Sequence, residues 1–340
     1  MGIFSTDITG IDIGAGSVKV VRVSRGRRPR LVYAGMVEAS LEPDKRSLVS
    51  ADIRYLLSTD KGAPKRVFTV MPGNQLTIRF IVIPKMPRQE LKEAVRWEAK
   101  RHISYPLDAA KVEYLILGDR RESAIEQYEI LMVAVERGAV VEFLVPFSEA
   151  GVKVTAVDAN PLALRNLHFP RGRKYVGNTM IVDMGAGKTE IDIFKDGGLR
   201  FSRCLDTGGF AMTRAITEHL GIGLVDAEEM KRKVDVLSPA DADPVVSAVR
   251  AGLDEILLEI RRSVEYYKTT FREKAVDQVV LTGGVSLMSG IKEYFSAQLQ
   301  GSVELDNPFS LLACKDRILQ ELGHAAPRFS SVVGLALRKA

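Results

Sequence analysis

The stretch that decides the fold is Ile11-Asp12-Ile13-Gly14-Ala15-Gly16-Ser17-Val18-Lys19-Val20. It predicts a strand that ends at an acidic residue, a turn of small residues, and a second strand rich in valine. A matching copy, Val182-Asp183-Met184-Gly185-Ala186-Gly187-Lys188-Thr189-Glu190-Ile191-Asp192-Ile193, stands in the second half of the chain. Two such hairpins, one in each half, predict two similar domains.

The turn of each hairpin has the composition of a phosphate-binding loop. Glycine lets backbone N–H groups approach an anion closely, and consecutive N–H groups form an anion-binding nest. Asp12 and Asp183, each at the end of a first strand, suit the outer coordination of Mg²⁺, a cation that keeps most of its waters. One copy alone could be a tight hairpin without a ligand, but two matched copies favour phosphate binding.

Two other glycine motifs are excluded. Gly14-x-Gly16 lacks the third glycine of a dinucleotide fingerprint, and a strand follows it where that fingerprint needs a helix. Gly187-Lys188-Thr189 is similar to the end of a P-loop, but the first glycine of that motif would fall at Val182, and a strand again follows.

A third glycine motif follows a buried strand, at Val279-Val280-Leu281-Thr282-Gly283-Gly284. Glycines at the end of a strand permit close packing against a flat ligand, and α/β sheets bind ligands at this position. A helix is expected from Ile291 to Gln300. Because Met288 stands where a Gly-x-Ser-x-Gly motif needs its last glycine, a serine hydrolase is not expected.

The composition is that of a folded protein from a reducing compartment. Hydrophobic residues make up 46% of the 340 residues, and two cysteines are too few for a disulfide framework. No apolar run is long enough to span a membrane and the N-terminus lacks a signal peptide, so a cytoplasmic location is expected. The densest basic cluster, Arg25 to Arg30, is typical of a solvated hairpin tip, and no nucleic-acid partner is expected.

The order of these motifs, two phosphate hairpins and then a Gly-Gly loop, resembles that of the actin, Hsp70 and sugar-kinase ATPase superfamily. Within it, the chain is similar to the PilM family of type IV pilus assembly proteins and to the related cell-division protein FtsA. The similarity to PilM also rests on Gly10–Gly14 with Ser17–Lys19, Ile83–Pro87, Ala227–Lys231 and Val333–Arg338.

The resemblance implies an α/β protein with the actin-like (ribonuclease H-like) fold, in which two lobes enclose the nucleotide. The first lobe would contain residues 1–165 and 313–340, and the second lobe residues 166–312. The resemblance further implies a small αβ subdomain of the FtsA and PilM type, inserted at 85–150.

The resemblance also implies a site for ATP (or ADP) and Mg²⁺. The β- and γ-phosphates would contact Gly14, Ala15, Gly16, Ser17 and Lys19 from one lobe and Asp183, Gly185, Gly187, Lys188 and Thr189 from the other, with Asp12 and Asp183 near the metal. Residues of the second lobe would complete it: Gly208, Gly209 and Thr213 at a helix start that favours phosphate, Glu228 and Lys231 at the ribose and base, and Gly283, Gly284 and Met288 at the adenine. The spacing of Glu228 and Lys231 is also that of a simple helical ion pair.

One position departs from the superfamily pattern. In relatives, the helix that connects the lobes begins with a glutamate or glutamine that orients the attacking water, whereas this chain has Asn160. Asparagine is shorter than glutamine and cannot act as a base, although metal and electrostatic stabilisation would still support some hydrolysis. With Asp12 as the other catalytic candidate, the expectation is an ATP binder with slow or absent turnover.

The leading hypothesis is an ATP-binding scaffold that docks the cytoplasmic N-terminal tail of an inner-membrane pilus protein, PilN in the resemblance, and reaches the membrane through that partner. The alternative is an FtsA-like or plasmid-partition filament that self-associates, and a sugar kinase or Hsp70-like enzyme is a third hypothesis. The insert at 85–150 is the expected groove for the tail, lined by Leu91 and Val95 unless these pack in a core. The basic positions Lys85, Arg88, Lys92, Arg96 and Lys100 predict a solvated helix face or a contact for anionic lipid or an acidic partner.

Overall fold

The computed structural model of the chain describes residues 7–26, 28–39, 45–60, 62, 66–122, 125–170 and 174–338, with the side chains of all but 45–47 and 120–125. The expectations for the N-terminus, Met1 to Thr6, and for Arg27 lie outside the described residues. Within the described part, no helix is long and apolar enough to cross a lipid bilayer.

Two sheets of the same design form the centres of the two lobes, and a third sheet belongs to an insert in the first lobe. The first sheet has the order β3 (Arg30–Glu38), β2 (Ser17–Ser24), β1 (Ile8–Ile13), β4 (Arg66–Met71) and β8 (Lys153–Ala159). The second has the order β11 (Gly198–Leu205), β10 (Thr189–Lys195), β9 (Asn178–Met184), β12 (Gln278–Thr282) and β13 (Ser302–Leu305). The third, antiparallel throughout, has the order β5 (Thr77–Pro84), β7 (Ile125–Glu136) and β6 (Ala110–Glu122).

The repeat in the sequence is a repeat of topology. In each of the first two sheets, three antiparallel strands are joined by hairpins and two parallel strands follow at one edge. The glycine turns occupy equivalent places, between β1 and β2 and between β9 and β10. The same backbone bond closes both turns: Gly14 N–H to the Ser17 carbonyl at 3.0 Å, and Gly185 N–H to the Lys188 carbonyl at 2.9 Å.

Helices cover the faces of the sheets. In chain order they are α1 (Lys45–Thr59), α2 (Arg88–Ala99), α3 (Arg137–Glu149), α4 (Asn160–His168), α5 (Gly209–Leu220), α6 (Leu224–Arg232), α7 (Pro244–Phe271), α8 (Ile291–Ser296), α9 (Asp316–Leu322) and α10 (Ser330–Ala336). The helix expected after the Gly-Gly loop is α8, which ends before the expected Gln300.

The longest of these helices, α7, anchors the core of the second lobe. Its N-cap is Asp243, whose side chain accepts a hydrogen bond from the Val245 N–H at 2.8 Å, and Pro244 occupies the first helical position. Its apolar stripe, which includes the fully buried Ile256 and Ile260, packs in one cluster with the strands β9, β10 and β12. The helix therefore supports the second hairpin through its apolar side chains.

The insert consists of the third sheet with α2 on one face. Leu91 and Val95 of α2 are fully buried against this sheet, and each stabilises the insert by roughly 2 kcal/mol. They form its core and line no groove. Since β5 pairs with β7 along its whole length, while α3 packs against α1 and β8 in the first lobe, the structure shifts the expected limits of 85–150 to 77–136.

The end of the chain returns to the first lobe. α10 packs against α4, and a Cβ at Gly334 would collide with the carbonyl of Ala163, so the two helices can cross this closely only with glycine there. Phe309 and Leu312 already belong to the first-lobe core. The C-terminal part of the first lobe therefore begins near residue 308 rather than at the expected 313.

Candidate functional site

A cavity of about 1040 Å³ lies between the two lobes. Both glycine turns, α6 and the Gly-Gly loop after β12 form its walls. The structure brings most of the sequence-predicted site residues to this cavity: Asp12, Gly14, Ala15, Gly16, Ser17, Lys19, Asn160, Asp183, Gly185, Gly187, Lys188, Gly209, Glu228, Lys231, Gly283, Gly284 and Met288. Thr189, Gly208 and Thr213 do not line it.

The two turns meet across the cavity. A Cβ at Gly16 would lie 2.7 Å from the Cβ of Ala186, and a Cβ at Gly187 would lie 2.9 Å from the Cβ of Ala15. In the described residues, the N–H groups of these four residues donate to no backbone carbonyl. Unpaired N–H groups from two lobes, side by side at a cavity, form a site suited to a polyanion such as a chain of phosphates.

Beside each glycine turn, a lysine is paired with an acid. Lys19 Nζ lies 2.8 Å from Asp12 Oδ2, with side chains only 10% and 15% exposed. Lys188 Nζ lies 3.0 Å from Glu190 Oε1. Both ammonium groups are therefore held beside the turns, where they are positioned to meet a phosphate.

Asp183 forms no ion pair with a lysine or arginine in the described part of the chain. Its Oδ2 accepts hydrogen bonds from Asn160 Nδ2 at 2.9 Å and from Ser331 Oγ at 3.2 Å. Burial, together with the nearby charge of Glu190, raises the pKa of Asp183 to about 6. A partly buried carboxylate without a counter-ion is unfavourable, and a cation relieves it.

Asn160 connects two carboxylates at the start of α4. Its Nδ2 donates to Asp183 at 2.9 Å and to Glu190 Oε2 at 3.0 Å. Its Oδ1 is buried and has no hydrogen-bond partner among the described residues. A glutamate at this position would place a third carboxylate beside two others, so the departure from the superfamily pattern has a structural role here.

Glu190 is a site residue that sequence reasoning missed. It is buried, lines the cavity, and lies so close to Gly73 that a Cβ there would collide with its carboxylate. The available signal was alternation in β10: Ile191 and Ile193 enter the second-lobe core, so Glu190 and Asp192 must lie on the opposite face.

The start of α5 differs from expectation. The Gly209 N–H donates to the Gly185 carbonyl at 3.0 Å, and the Phe210 N–H donates to the Ala186 carbonyl at 2.7 Å. The first donors of the helix therefore hold the second glycine turn in place. The N–H groups of Gly209 and Phe210 are therefore occupied by the turn, and the expected phosphate contact at this helix start stays a prediction for Gly208 alone.

The two predicted threonine donors are also engaged inside the protein. Thr189 Oγ1 donates to the Thr207 carbonyl at 2.8 Å, and Thr213 Oγ1 donates to Glu228 Oε2 at 2.6 Å. Both side chains are almost fully buried. They stabilise the second turn and α5, and neither reaches the cavity.

Glu228 and Lys231 form a buried ion pair on α6. Lys231 Nζ donates to Glu228 Oε2 at 2.5 Å, to the Gly209 carbonyl at 3.0 Å and to Thr213 Oγ1 at 2.8 Å. Burial lowers the pKa of Lys231, whereas for Glu228 the hydrogen bonds from Lys231 and Thr213 outweigh burial and lower its pKa. Lys231 is thus committed to the protein, and Glu228 is the member of the pair with exposed area at the cavity.

The Gly-Gly loop forms the apolar end of the cavity. Gly283 has a φ of +84° and lies against the Met184 carbonyl, so only glycine fits there. Leu287 and Met288 extend the apolar wall. An apolar wall in the same cavity as the glycine turns suits the base of a nucleotide.

Three charged residues that sequence reasoning missed stand at the mouth of the cavity. Glu38 of β3 accepts hydrogen bonds from Arg328 at 2.6 and 2.9 Å, and Arg232 of α6 lies 3.4 Å from the same carboxylate. Arg328 and Arg232 together outweigh the partial desolvation of the Glu38 carboxylate and lower its pKa. Because these residues come from different lobes and distant segments, no local sequence signal could have shown the contact.

The donor set fits Mg²⁺ bound together with a nucleotide. In the residues that the structure describes, no group of three or more His, Cys, Asp or Glu is arranged to hold a metal ion. A metal here would take one or two carboxylates, several waters and phosphate oxygens, which is the usual environment of Mg²⁺. Asp183, without an ion pair, and Asn160, with a free Oδ1, are the oxygen donors available for it or its waters.

Comparisons with known proteins agree with this geometry. The family model described as type IV pilus assembly protein PilM matches residues 10–340. Among solved structures, the chain is similar to a PilM-PilN type IV pilus biogenesis complex, with 27% identity and a TM-score of 0.85 over 97% of this chain and 98% of that chain. The ethanolamine utilization protein EutJ from Carboxydothermus hydrogenoformans (15% identity, TM-score 0.58, 97% and 89% of the two chains) and MreB5 of Spiroplasma citri bound to ADP (11%, 0.51, 96% and 94%) share the fold. These similarities confirm the predicted two-lobed actin-like fold.

The curated relatives are cell-division proteins. FtsA of Streptococcus pneumoniae is 24% identical over an alignment of 377 residues, gaps included, which covers 96% of this chain and 79% of that protein. FtsA of Neisseria meningitidis is 25% identical over 205 residues, which cover 54% of this chain and 48% of that protein. The match therefore spans about half the length of the second relative.

Proposed function

The chain belongs to the PilM family of type IV pilus assembly proteins, and from this premise we propose that it is an ATP-binding scaffold that docks the cytoplasmic tail of a PilN-like inner-membrane protein. The observation that carries the nucleotide part is the contact between the two glycine turns at a cavity that contains Asp12 and Asp183. The solved PilM-PilN complex supports the partner.

The residues at the turns would share the work of binding. The N–H groups of Ala15, Gly16, Ala186 and Gly187 surround the phosphates, and the adjacent lysines of both hairpins add charge. Bound Mg²⁺ would neutralise phosphate charge beside Asp183. Since the two turns belong to different lobes, a nucleotide that contacts both favours the closed arrangement of the lobes.

Turnover is slow in this proposal, because two of the three carboxylates near the phosphates are paired with lysines and the third, Asp183, would be taken up by the metal or its waters. Asp12 pairs with Lys19, and Glu190 pairs with Lys188 and accepts from Asn160. A carboxylate held by an ammonium group is a weak base. The protein would therefore use ATP mainly to set the position of its lobes.

The tail of the partner would lie along the free edge of the insert. β6 pairs only with β7 among the described strands, and it exposes Leu115 and Ile116, whose side chains are 45% and 38% accessible. An unpaired edge with apolar side chains is the usual receptor for an extended peptide, which adds as a further strand. This position replaces Leu91 and Val95, which are buried.

Two measurements test the proposal. Calorimetry with Mg-ATP should show one site per chain, and a fluorescent peptide with the N-terminal residues of the PilN-like protein should bind with a change in anisotropy. The similarity to FtsA over 96% of this chain favours a filament as the second candidate. Pelleting of the protein with ATP, without binding of the peptide, would support the filament and reject the scaffold.

A further inference from the structure

A basic surface covers the end of the first lobe that lies away from the nucleotide cavity. The turn between β2 and β3 carries Arg25 and Arg28, and Arg30 begins β3. β2 is eight residues long, so this turn lies about 26 Å from the glycine turn at the other end of the strand. A ligand on this surface would leave the cavity free.

Tertiary structure adds further cations to those of the turn. The Leu31 N–H donates to the Ala313 carbonyl at 2.9 Å, and the Ala313 N–H donates to the Pro29 carbonyl at 2.9 Å. This bridge is parallel, so the segment after Ala313 runs in the direction of β3 and places Lys315 near Arg30, at the start of that strand. Arg25 also donates to the backbone carbonyl of Arg338, at 2.5 Å.

The charge of this surface is largely uncompensated. Arg28, Arg30 and Lys315 are exposed and form no ion pair with the described residues, whereas Arg317 pairs with Glu321 at 2.7 Å. The turn and the segment from Leu311 to Leu322 contain two exposed acids, Glu321 and Asp316. Even with both acids counted, the surface has a net positive charge.

Two exposed leucines stand beside these cations. Leu311 and Leu319 are each 41% accessible and flank the segment that carries Lys315. Cations next to exposed aliphatic side chains suit a bilayer surface, where headgroups are anionic and the acyl region begins just below them. Nucleic acid is disfavoured, since single strands are bound by aromatic side chains and this surface has none.

We propose that this basic surface, formed by Arg25, Arg28, Arg30, Lys315, Leu311 and Leu319, binds anionic phospholipid membranes directly. Each basic residue near such a surface strengthens binding about fivefold. The contact goes beyond the proposed function, because it requires neither nucleotide nor the PilN-like partner. Together with a docked tail, it would attach the protein at two points, and two weak contacts on one membrane reinforce each other.

The outer face of α2 is the competing basic surface and supplies a matched control. It exposes Arg88, Lys92 and Lys100, and Lys100 Nζ lies 5.8 Å from the ring of Trp97, which is 63% exposed. The same helix exposes Glu90 and Glu93, which cancel much of its charge. Since Trp97 is the one tryptophan in the chain, its fluorescence reports directly on contact at this face.

The experiment is co-sedimentation of the full chain with vesicles of equal parts phosphatidylglycerol and phosphatidylcholine, compared with pure phosphatidylcholine, at low and high salt. One variant combines Arg28→Gln, Arg30→Gln and Lys315→Gln, and the control combines Arg88→Gln, Lys92→Gln and Lys100→Gln. Both remove three exposed charges, and thermal unfolding checks that both fold. If the first variant fails to fold, Arg28→Gln alone, in the turn, replaces it, with an expected loss of about fivefold.

We expect salt-sensitive binding of the native chain to the anionic vesicles alone. The first variant should bind roughly a hundredfold more weakly, the control should bind like the native chain, and Trp97 emission should not move. Absence of binding, equal binding to phosphatidylcholine, or equal loss in both variants would overturn the proposal. A blue shift of Trp97 emission together with loss of vesicle binding in the control variant would overturn it too, because it would assign the contact to α2. Binding of RNA in place of vesicles would also overturn it.

Discussion

Asn160, at the start of the helix between the lobes, donates a hydrogen bond at 2.9 Å to Asp183, at the end of β9 in the second lobe. The same Nδ2 reaches Glu190 at 3.0 Å. One side chain of the first lobe therefore fixes two carboxylates of the second lobe beside the cavity. Asn160, which departs from the superfamily pattern, therefore forms a contact between the lobes.

Replacement of Asn160 by Asp is expected to lower the free energy of unfolding by about 2–4 kcal/mol, because two buried hydrogen bonds are lost and a third carboxylate is added. Denaturant unfolding measures this. Asn160→Ala removes the donor without adding charge and should cost less. Equal losses in the two variants would contradict the role given to charge repulsion.

Replacement of Asn160 by Gln keeps the amide donor and extends it by one methylene toward the phosphates. The variant is expected to hydrolyse ATP faster than the native protein, by up to about 10²-fold, if a positioned water is what limits the rate. A phosphate-release assay at saturating ATP measures this. Native turnover at ordinary enzymatic rates would contradict the proposed slow hydrolysis.

Replacement of Asp183 by Asn is expected to change nucleotide binding and protein stability in opposite directions. The pKa of Asp183 is raised from 3.8 to about 6, so the unfolded chain releases this proton at lower pH than the native protein does. Native stability therefore falls as pH rises from about 4 to 6 and stays lower above that range. Above pH 6, Asp183→Asn should stabilise the nucleotide-free protein by about 1–3 kcal/mol while it weakens Mg-ATP binding.

The matched control is Asp12→Asn, which leaves the buried Lys19 without its partner and should destabilise the protein. Thermal unfolding at several pH values and calorimetry measure both effects. If Asp12→Asn also stabilised the protein, the absence of an ion pair at Asp183 would not be the cause of the stabilisation in Asp183→Asn.

Replacement of Lys19 by Ala is expected to weaken Mg-ATP binding by roughly 10- to 100-fold, the loss typical of one hydrogen bond between charged groups. The control is Lys195→Ala, which removes a lysine that pairs with Glu273 away from the cavity. Calorimetry should give native affinity for the control. If Lys19→Ala also binds with native affinity, the first glycine turn does not hold the phosphates.

Replacement of Leu115 by Glu is expected to weaken binding of the partner's tail peptide at least tenfold, because a charge would enter an apolar contact. Leu237→Glu, at a leucine of the second lobe that is 50% exposed, is the control. Peptide anisotropy measures both, and Mg-ATP binding should be native in each. Loss of peptide binding in the control alone would move the tail to the second lobe.

The sequence by itself determined the two hairpins, the place of their turns and the fold. A turn such as that closed by Gly14 and Ser17 depends on a bond between near neighbours, and the alternation of a strand shows which side chains share a face. These are local properties, so each copy could be recognised alone, and the two copies together predicted two similar domains. The order of the motifs carried the resemblance to the PilM family, and that resemblance supplied the two lobes with a nucleotide between them.

Only the tertiary structure decided which predicted groups are free to bind a ligand. Thr189, Thr213 and the start of α5 have the right chemistry for phosphate, but the Thr207 carbonyl, Glu228 and the second glycine turn already occupy their donors. Packing also brings Asn160 and Gly73 to Glu190, and it brings Lys315 near Arg30, although these segments lie far apart in the chain. A sequence shows which donors and charges exist, whereas packing decides which of them are satisfied within the protein and which remain for a partner.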